Sequence, residues 1–138
     1  MRALLAVLLL LLAPPASAHS YRAGGVMVGH VWAAPTRGTD TEVFLPLLNT
    51  APGSDQLVSI IAPSAKLAEL IDASSRRIGA VELPSNRPVV LKPGGFRIRL
   101  IGLDKPLRVG DRLKLTLVFA KAGTVAVEAM VEMGPSHG

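Results

Sequence analysis

The sequence predicts an all-β protein, an antiparallel sandwich or barrel, behind a cleaved signal peptide. Short runs of alternating apolar and polar residues are separated by turn residues roughly every eight to twelve positions. Eleven prolines punctuate the chain, and proline ends helices and confines strands. Helix-start signals are few, and there is no internal repeat or low-complexity block.

Residues 1–18 read as the signal peptide. Arg2 gives a positive start, Ala3 to Ala13 is unbroken apolar, Pro14-Pro15 breaks it, and Ala16-Ser17-Ala18 is a small-residue cleavage site. The apolar run is shorter than the roughly 20 residues a bilayer span needs. The expected protein is therefore exported to the periplasm, begins near His19 and has no integral membrane span.

Residues 19–133 read as one β domain, and 134–138 as a disordered tail. After a polar lead from His19 to Gly25, Val26 to Ala33 reads as a strand, with Val26, Val28 and His30 on one face. Met27 falls on the other face with Val31 and Ala33 and is expected in the core. Thr41 to Asn49 is extended but contains Pro46, which predicts an edge strand or a bulge. Pro52-Gly53-Ser54-Asp55 is a turn, and Gln56 to Ala62 a third strand. Pro63 to Leu70 reads as a loop running into a strand through Asp72.

Further along, Arg76 to Leu83 and Pro88 to Leu91 flank a turn at Pro84-Ser85-Asn86. Lys92-Pro93-Gly94-Gly95 then turns into Phe96 to Leu103. Arg112 to Ala120 alternates clearly, with Leu113, Leu115, Leu117 and Phe119 on one face. Lys121-Ala122-Gly123 closes a hairpin with Thr124 to Glu132.

Composition narrows the function. The chain has no cysteine, which excludes disulfides, cysteine-built zinc sites and cysteine nucleophiles. Beyond the signal peptide there are 14 Lys and Arg against 10 Asp and Glu, a net +4. These cations are scattered, with no aromatic residues between them, so a nucleic-acid platform is not expected. Asp55, Asp72, Asp104 and Asp111 fall in turn contexts. Ser64, Ser74, Ser75 and Ser85 have no histidine nearby in sequence, so no enzyme activity is expected.

A set of ordered motifs carries a family resemblance. These are Ala18-His19-Ser20-Tyr21-Arg22-Ala23-Gly24, Gly29-His30-Val31-Trp32-Ala33, and Asn49 followed by Asp55-Gln56-Leu57-Val58. Leu91-Lys92-Pro93-Gly94-Gly95, Leu107-Arg108-Val109-Gly110-Asp111 and Leu115-Thr116-Leu117-Val118-Phe119 complete it. Together they resemble the periplasmic copper chaperones of the PCuAC type, which implies a cupredoxin-like Greek-key fold and copper handling with a copper-handling protein as partner. The resemblance also implies a Cu(I) site of two His and two Met, soft to borderline donors. Here the first His position falls on Ile71, and the His-x-Met pair falls on Arg97 and Arg99.

Between Ser74 and Leu91 there is no Met or His to supply the remaining ligand. Arginine has no lone pair to donate. A guanidinium about 7 Å from Cu(I) would repel it by roughly 2 kcal/mol at an effective dielectric near 20. The standard site is thus expected to be absent, and copper enters as a cofactor by resemblance only.

Other residues could still bind metal. His19, at the expected mature start, could chelate Cu(II) through its amine and imidazole. His30 lies next to Trp32 on one face, and Met130, Met133 and His137 make a sparse C-terminal set. A different class of function follows from Arg97 and Arg99 themselves. With Arg76 and Arg77 near, they could bind an anion or an acidic partner, making the protein a metal-free binding or assembly module.

Overall fold

Thr41–Asn49 is the strand on which the fold is hinged, because its two halves pair with different neighbours. The computed structural model describes residues 20–134 and contains twelve strands in that stretch. They are β1 Tyr21–Ala23, β2 Val26–Val28, β3 Trp32–Ala33, β4 Thr41–Asn49, β5 Asp55–Ile61 and β6 Leu67–Ile71. The others are β7 Arg77–Ile78, β8 Val81–Leu83, β9 Pro88–Leu91, β10 Arg97–Ile101, β11 Arg112–Phe119 and β12 Gly123–Val131. The expected signal peptide, His19, and residues 135–138 of the expected tail lie outside the described residues.

The first half of β4 joins β10 and β3, and the second half joins β2 and β9. The main path runs β7-β6-β10-β4-β3-β12-β11-β5-β8, which curls into a nearly closed barrel. All pairs are antiparallel except β3 with β12. This is the all-β architecture expected from the sequence. Its core is made by alternate residues such as Leu45, Leu57, Ile98, Leu100, Leu115 and Leu117, all nearly or wholly buried. The predicted inward set Leu113, Leu115, Leu117 and Phe119 is buried as the alternation required.

Four local expectations change. The polar lead contains β1, which pairs with β2 as a short hairpin. The expected single strand from Val26 to Ala33 is cut at Gly29, and the inward parity reverses there. Val26 and Val28 face the core before the break, and Val31 and Ala33 after it. Met27 consequently points outward at 39% exposure instead of packing in the core.

Pro46 is not on an edge strand, since β4 has neighbours on both sides. Its carbonyl accepts from Gly29 N at 3.0 Å, so its missing N–H falls on the side where β2 and β3 separate. A Cβ on Gly29 would lie 2.6 Å from Pro46 Cγ. Proline in mid-sheet is thus accommodated by a glycine opposite it.

Asp55 does more than close its own turn. It is buried, and its Oδ1 accepts from Gln56 N at 2.7 Å and Lys121 N at 2.8 Å, while Oδ2 accepts from Ala122 N at 2.9 Å. The carboxylate therefore ties the start of β5 to the β11–β12 turn. Asp55→Ala is expected to lower stability by about 2–4 kcal/mol, because it removes charge-assisted bonds and leaves turn amides unpaired. A denaturant midpoint shows this directly, with Asp55→Asn losing less.

Candidate functional site

Of the residues singled out from the sequence, Ile71, Arg97, Arg99 and Met130 lie on the outer face of β6, β10, β4, β3 and β12. Side chains alternate across a strand, and directly paired residues share a face. Ile98 and Leu100 point into the core, so Arg97, Arg99 and Ile101 point outward. In register, Arg97 lies opposite Ile71 of β6. Arg99 lies between Glu69 of β6 and Glu42 of β4. The same face continues from Phe44 to its partner Trp32, and from Trp32 to Met130 of β12.

Ile71 and Arg97, far apart in sequence, are therefore adjacent in space, as the resemblance requires of two ligand positions. Their chemistry is not that of ligands. Ile71 is fully buried, and Arg97 retains only 8% exposure. The Arg97 Nη1 donates to Asp72 O at 3.0 Å and Gly95 O at 2.9 Å, and Nη2 donates to Ser75 Oγ at 2.8 Å. Its Nε lies 2.9 Å from Glu42 Oε2, but the N–H is not aimed at that oxygen, so this contact is ionic.

Two loops are shaped to receive this guanidinium. After β6, Asp72 Oδ1 accepts from Ser74 N and Arg76 N, which folds the chain tightly back on itself. Ser75 takes a left-handed φ of 63° in that turn, uncommon for a residue with a Cβ, and its hydroxyl meets Arg97. Before β10, Lys92 and Phe96 close the Pro93-Gly94-Gly95 turn through Lys92 N to Phe96 O at 3.0 Å. The Gly95 carbonyl is thereby presented to Arg97.

Arg99 is half-buried. Its Nη2 donates to Glu69 Oε1 at 3.4 Å, and its buried Nε has no hydrogen-bond partner. Arg77 Nη1 stands 4.0 Å from Glu69 Oε2 and is largely exposed. Three guanidiniums thus face two carboxylates, leaving the cluster with a net charge of +1. The sequence pointed to the arginines but not to Glu42 and Glu69, since nothing short of the strand register identifies them as partners. Arg97, with its donors engaged inside the protein, is neither a solvated strand residue nor open to an anion. Of the three, only Arg99 and Arg77 are open to solvent.

The other residues considered as metal ligands divide. His30 is exposed, and its Nε2 lies 3.0 Å from Glu132 Oε2. His30, Trp32 and Met133 line one apolar groove of about 720 Å³ with Leu45, Val90 and Lys92. Met130 is beside Trp32 by register. His19 and His137 fall outside the described residues. Among the described residues, no three His, Cys, Asp or Glu side chains gather to hold a metal ion.

Copper, as a cargo, does not fit the positions the resemblance assigns. Ile71 offers a hydrocarbon, Arg97 and Arg99 have no lone pair, and the cluster is already cationic. The face around Trp32 is different in kind, with imidazole and thioether donors.

Comparisons with known proteins agree with the fold. A family model described as "Putative lipoprotein LpqE-like" matches residues 26–131. The chain is 29% identical over 129 residues to "Putative lipoprotein Lxx21020" of Leifsonia xyli subsp. xyli (strain CTCB07), covering 86% of this chain and 77% of the relative. Among solved structures, the apo PCuAC domain from PmoF1 superposes with a TM-score of 0.78 at 29% identity, over 84% of this chain and 100% of that one. The copper-bound PCuAC domain from PmoF2 gives a TM-score of 0.77 at 30% identity, over 84% and 99%. The chain therefore belongs to the LpqE-like family and has the cupredoxin-like fold of the PCuAC copper-chaperone domains.

Proposed function

We propose that this protein is an exported PCuAC-like module that serves copper handling outside the cytoplasm without holding Cu(I) at the family's usual ligand positions. The observation that carries this reading is Arg97, buried opposite Ile71 and bonded to Asp72, Gly95 and Ser75. A fixed guanidinium links the segments that a bound cation would otherwise join. Export rests on the signal-peptide pattern and accords with relatives named as lipoproteins. No cysteine occurs in these 138 residues, so none of them can be the acylated cysteine of a lipoprotein. No helix among the described residues is long and apolar enough to cross a membrane.

The working unit is the β domain of residues 19–133, and no step of it calls for catalysis. A metal-free assembly role on the arginine face is the second reading. It is favoured by one observation, the buried unpartnered Nε of Arg99 beside the exposed Arg77. That reading places an acidic partner on Arg99 and Arg77, with Arg97 behind them.

Competition against a chelator of moderate Cu(I) affinity tests the main reading. Arg97→Lys and Arg99→Lys should leave any copper retained by the exported form unchanged within about twofold, a difference near 0.4 kcal/mol. A marked loss in either variant would show that these positions contribute to binding and would contradict it. Capture of an acidic partner that is lost in Arg77→Ala and Arg99→Gln would select the second reading.

A further inference from the structure

We propose that His30, Met130 and Met133 form a soft-metal site around Trp32, suited to Cu(I) or Ag(I). It goes beyond the reading above, which concerns residues 71, 97 and 99. His30 and Trp32 precede and open β3, and Met130 pairs with Trp32 from β12. Met133 follows β12 and lines the same groove as His30 and Trp32. The chain bends at Met133. Gly134 has a φ of +112°, and a Cβ there would lie 3.3 Å from Trp32 Cη2. The segment after β12 thus folds closely over the indole, in a backbone conformation that glycine favours.

The donors are of the right kind and one is oriented. Glu132 engages His30 Nε2 at 3.0 Å, leaving Nδ1 for a ligand, and a carboxylate behind an imidazole is the usual support of a metal-binding histidine. Two thioethers add soft donors with no charge to desolvate. The indole of Trp32, tilted at 38° against Phe44 with ring centroids 4.5 Å apart, is an aromatic surface that attracts a cation. The groove is mostly apolar, and Lys92, the one Lys or Arg among its lining residues, is exposed just after β9. That ammonium is on a flexible stem and can turn to water, unlike the anchored Arg97. Glu132 supplies negative charge where the arginine cluster supplies positive.

The test uses the exported form, residues 19–138, titrated anaerobically with Ag(I) and then Cu(I). Trp32 is the only tryptophan, so its fluorescence reports the site. Quenching that saturates near one equivalent is expected, with the methyl resonances of Met130 and Met133 shifting in step. His30→Ala and Met133→Leu should each weaken the metal at least tenfold, and both residues are exposed enough for the fold to survive. Unchanged fluorescence at excess metal overturns the proposal. So does quenching that is the same in both variants, which would place the metal elsewhere. Neither result touches the reading of Arg97, because that reading predicts no response at residues 71, 97 and 99 in any case.

Discussion

Replacing Arg97 by alanine is expected to cost about 2–4 kcal/mol of stability and to lower Tm on the order of 10 °C. The substitution removes a buried charge together with three directed hydrogen bonds. Two backbone carbonyls, at Asp72 and Gly95, lose this donor. Glu42 is about one-third exposed and can turn to water, which keeps the loss below that of a fully buried broken ion pair. Arg97→Lys restores charge but not the fork that reaches three acceptors at once, so it should recover less than half of the loss. Thermal unfolding of the three proteins side by side gives the order wild type, Lys, Ala. Equal stability of Ala and wild type would show that the guanidinium does not link the loops.

The second expected result is a gain of function. Ile71→His, Arg97→His and Arg99→Met together should create a Cu(I) site on the outer face, because the register already places these positions side by side. Taking away two guanidiniums leaves Glu42 and Glu69 against Arg77, so the cluster changes from net +1 to net −1. At roughly 2 kcal/mol for each arginine, the electrostatic part alone is about 4 kcal/mol, on the order of a thousandfold in affinity. The triple variant should retain one equivalent of Cu(I) at positions 71, 97 and 99 against a chelator that strips the parent protein. The same variant loses the Arg97 contacts, so the titration is done at low temperature, where the fold is retained. A folded triple variant with no added copper affinity would mean that charge and donor type are not what separates this chain from copper-binding domains.

The strands were largely legible because their physics is local. Alternation of Leu113, Leu115, Leu117 and Phe119 fixes which face of β11 is buried. The loop after Pro63 runs into β6 as the sequence indicated. What was hidden depends on contacts between distant segments. Glu42 and Glu69 became partners of the arginines only once β4 and β6 were set on either side of β10. Met27 left the core because the strand breaks at Gly29, and that break answers to Pro46 on the neighbouring strand. Asp55 sits in a turn-like stretch, yet its main bonds reach Lys121 and Ala122. No spacing rule joins those residues.

The candidate site divides in the same way. Under the resemblance, the expected absence of the usual ligands follows from the residues that stand at 71, 97 and 99. That Arg97 is buried, with its terminal nitrogens bonded to two loops, needed the structure. The sequence also contained His30, Met130 and Met133, but at opposite ends of the domain. Parallel pairing of β3 with β12 sets Met130 beside Trp32, and His30 and Met133 line one groove with that indole. The fold thus sets a closed cationic cluster and a soft-donor groove on one surface, separated by Phe44 and Trp32.

A Cu(I) titration followed by NMR tests whether the positions that the resemblance assigns to copper ligands are held instead by an internal ion network. Cu(I) is added to residues 19–138, and every backbone amide is followed by NMR up to one equivalent. The amides of Ile71 to Arg76 and Gly95 to Arg99 should remain within experimental error of their metal-free positions. Shifts or broadening centred on those two segments would contradict the account.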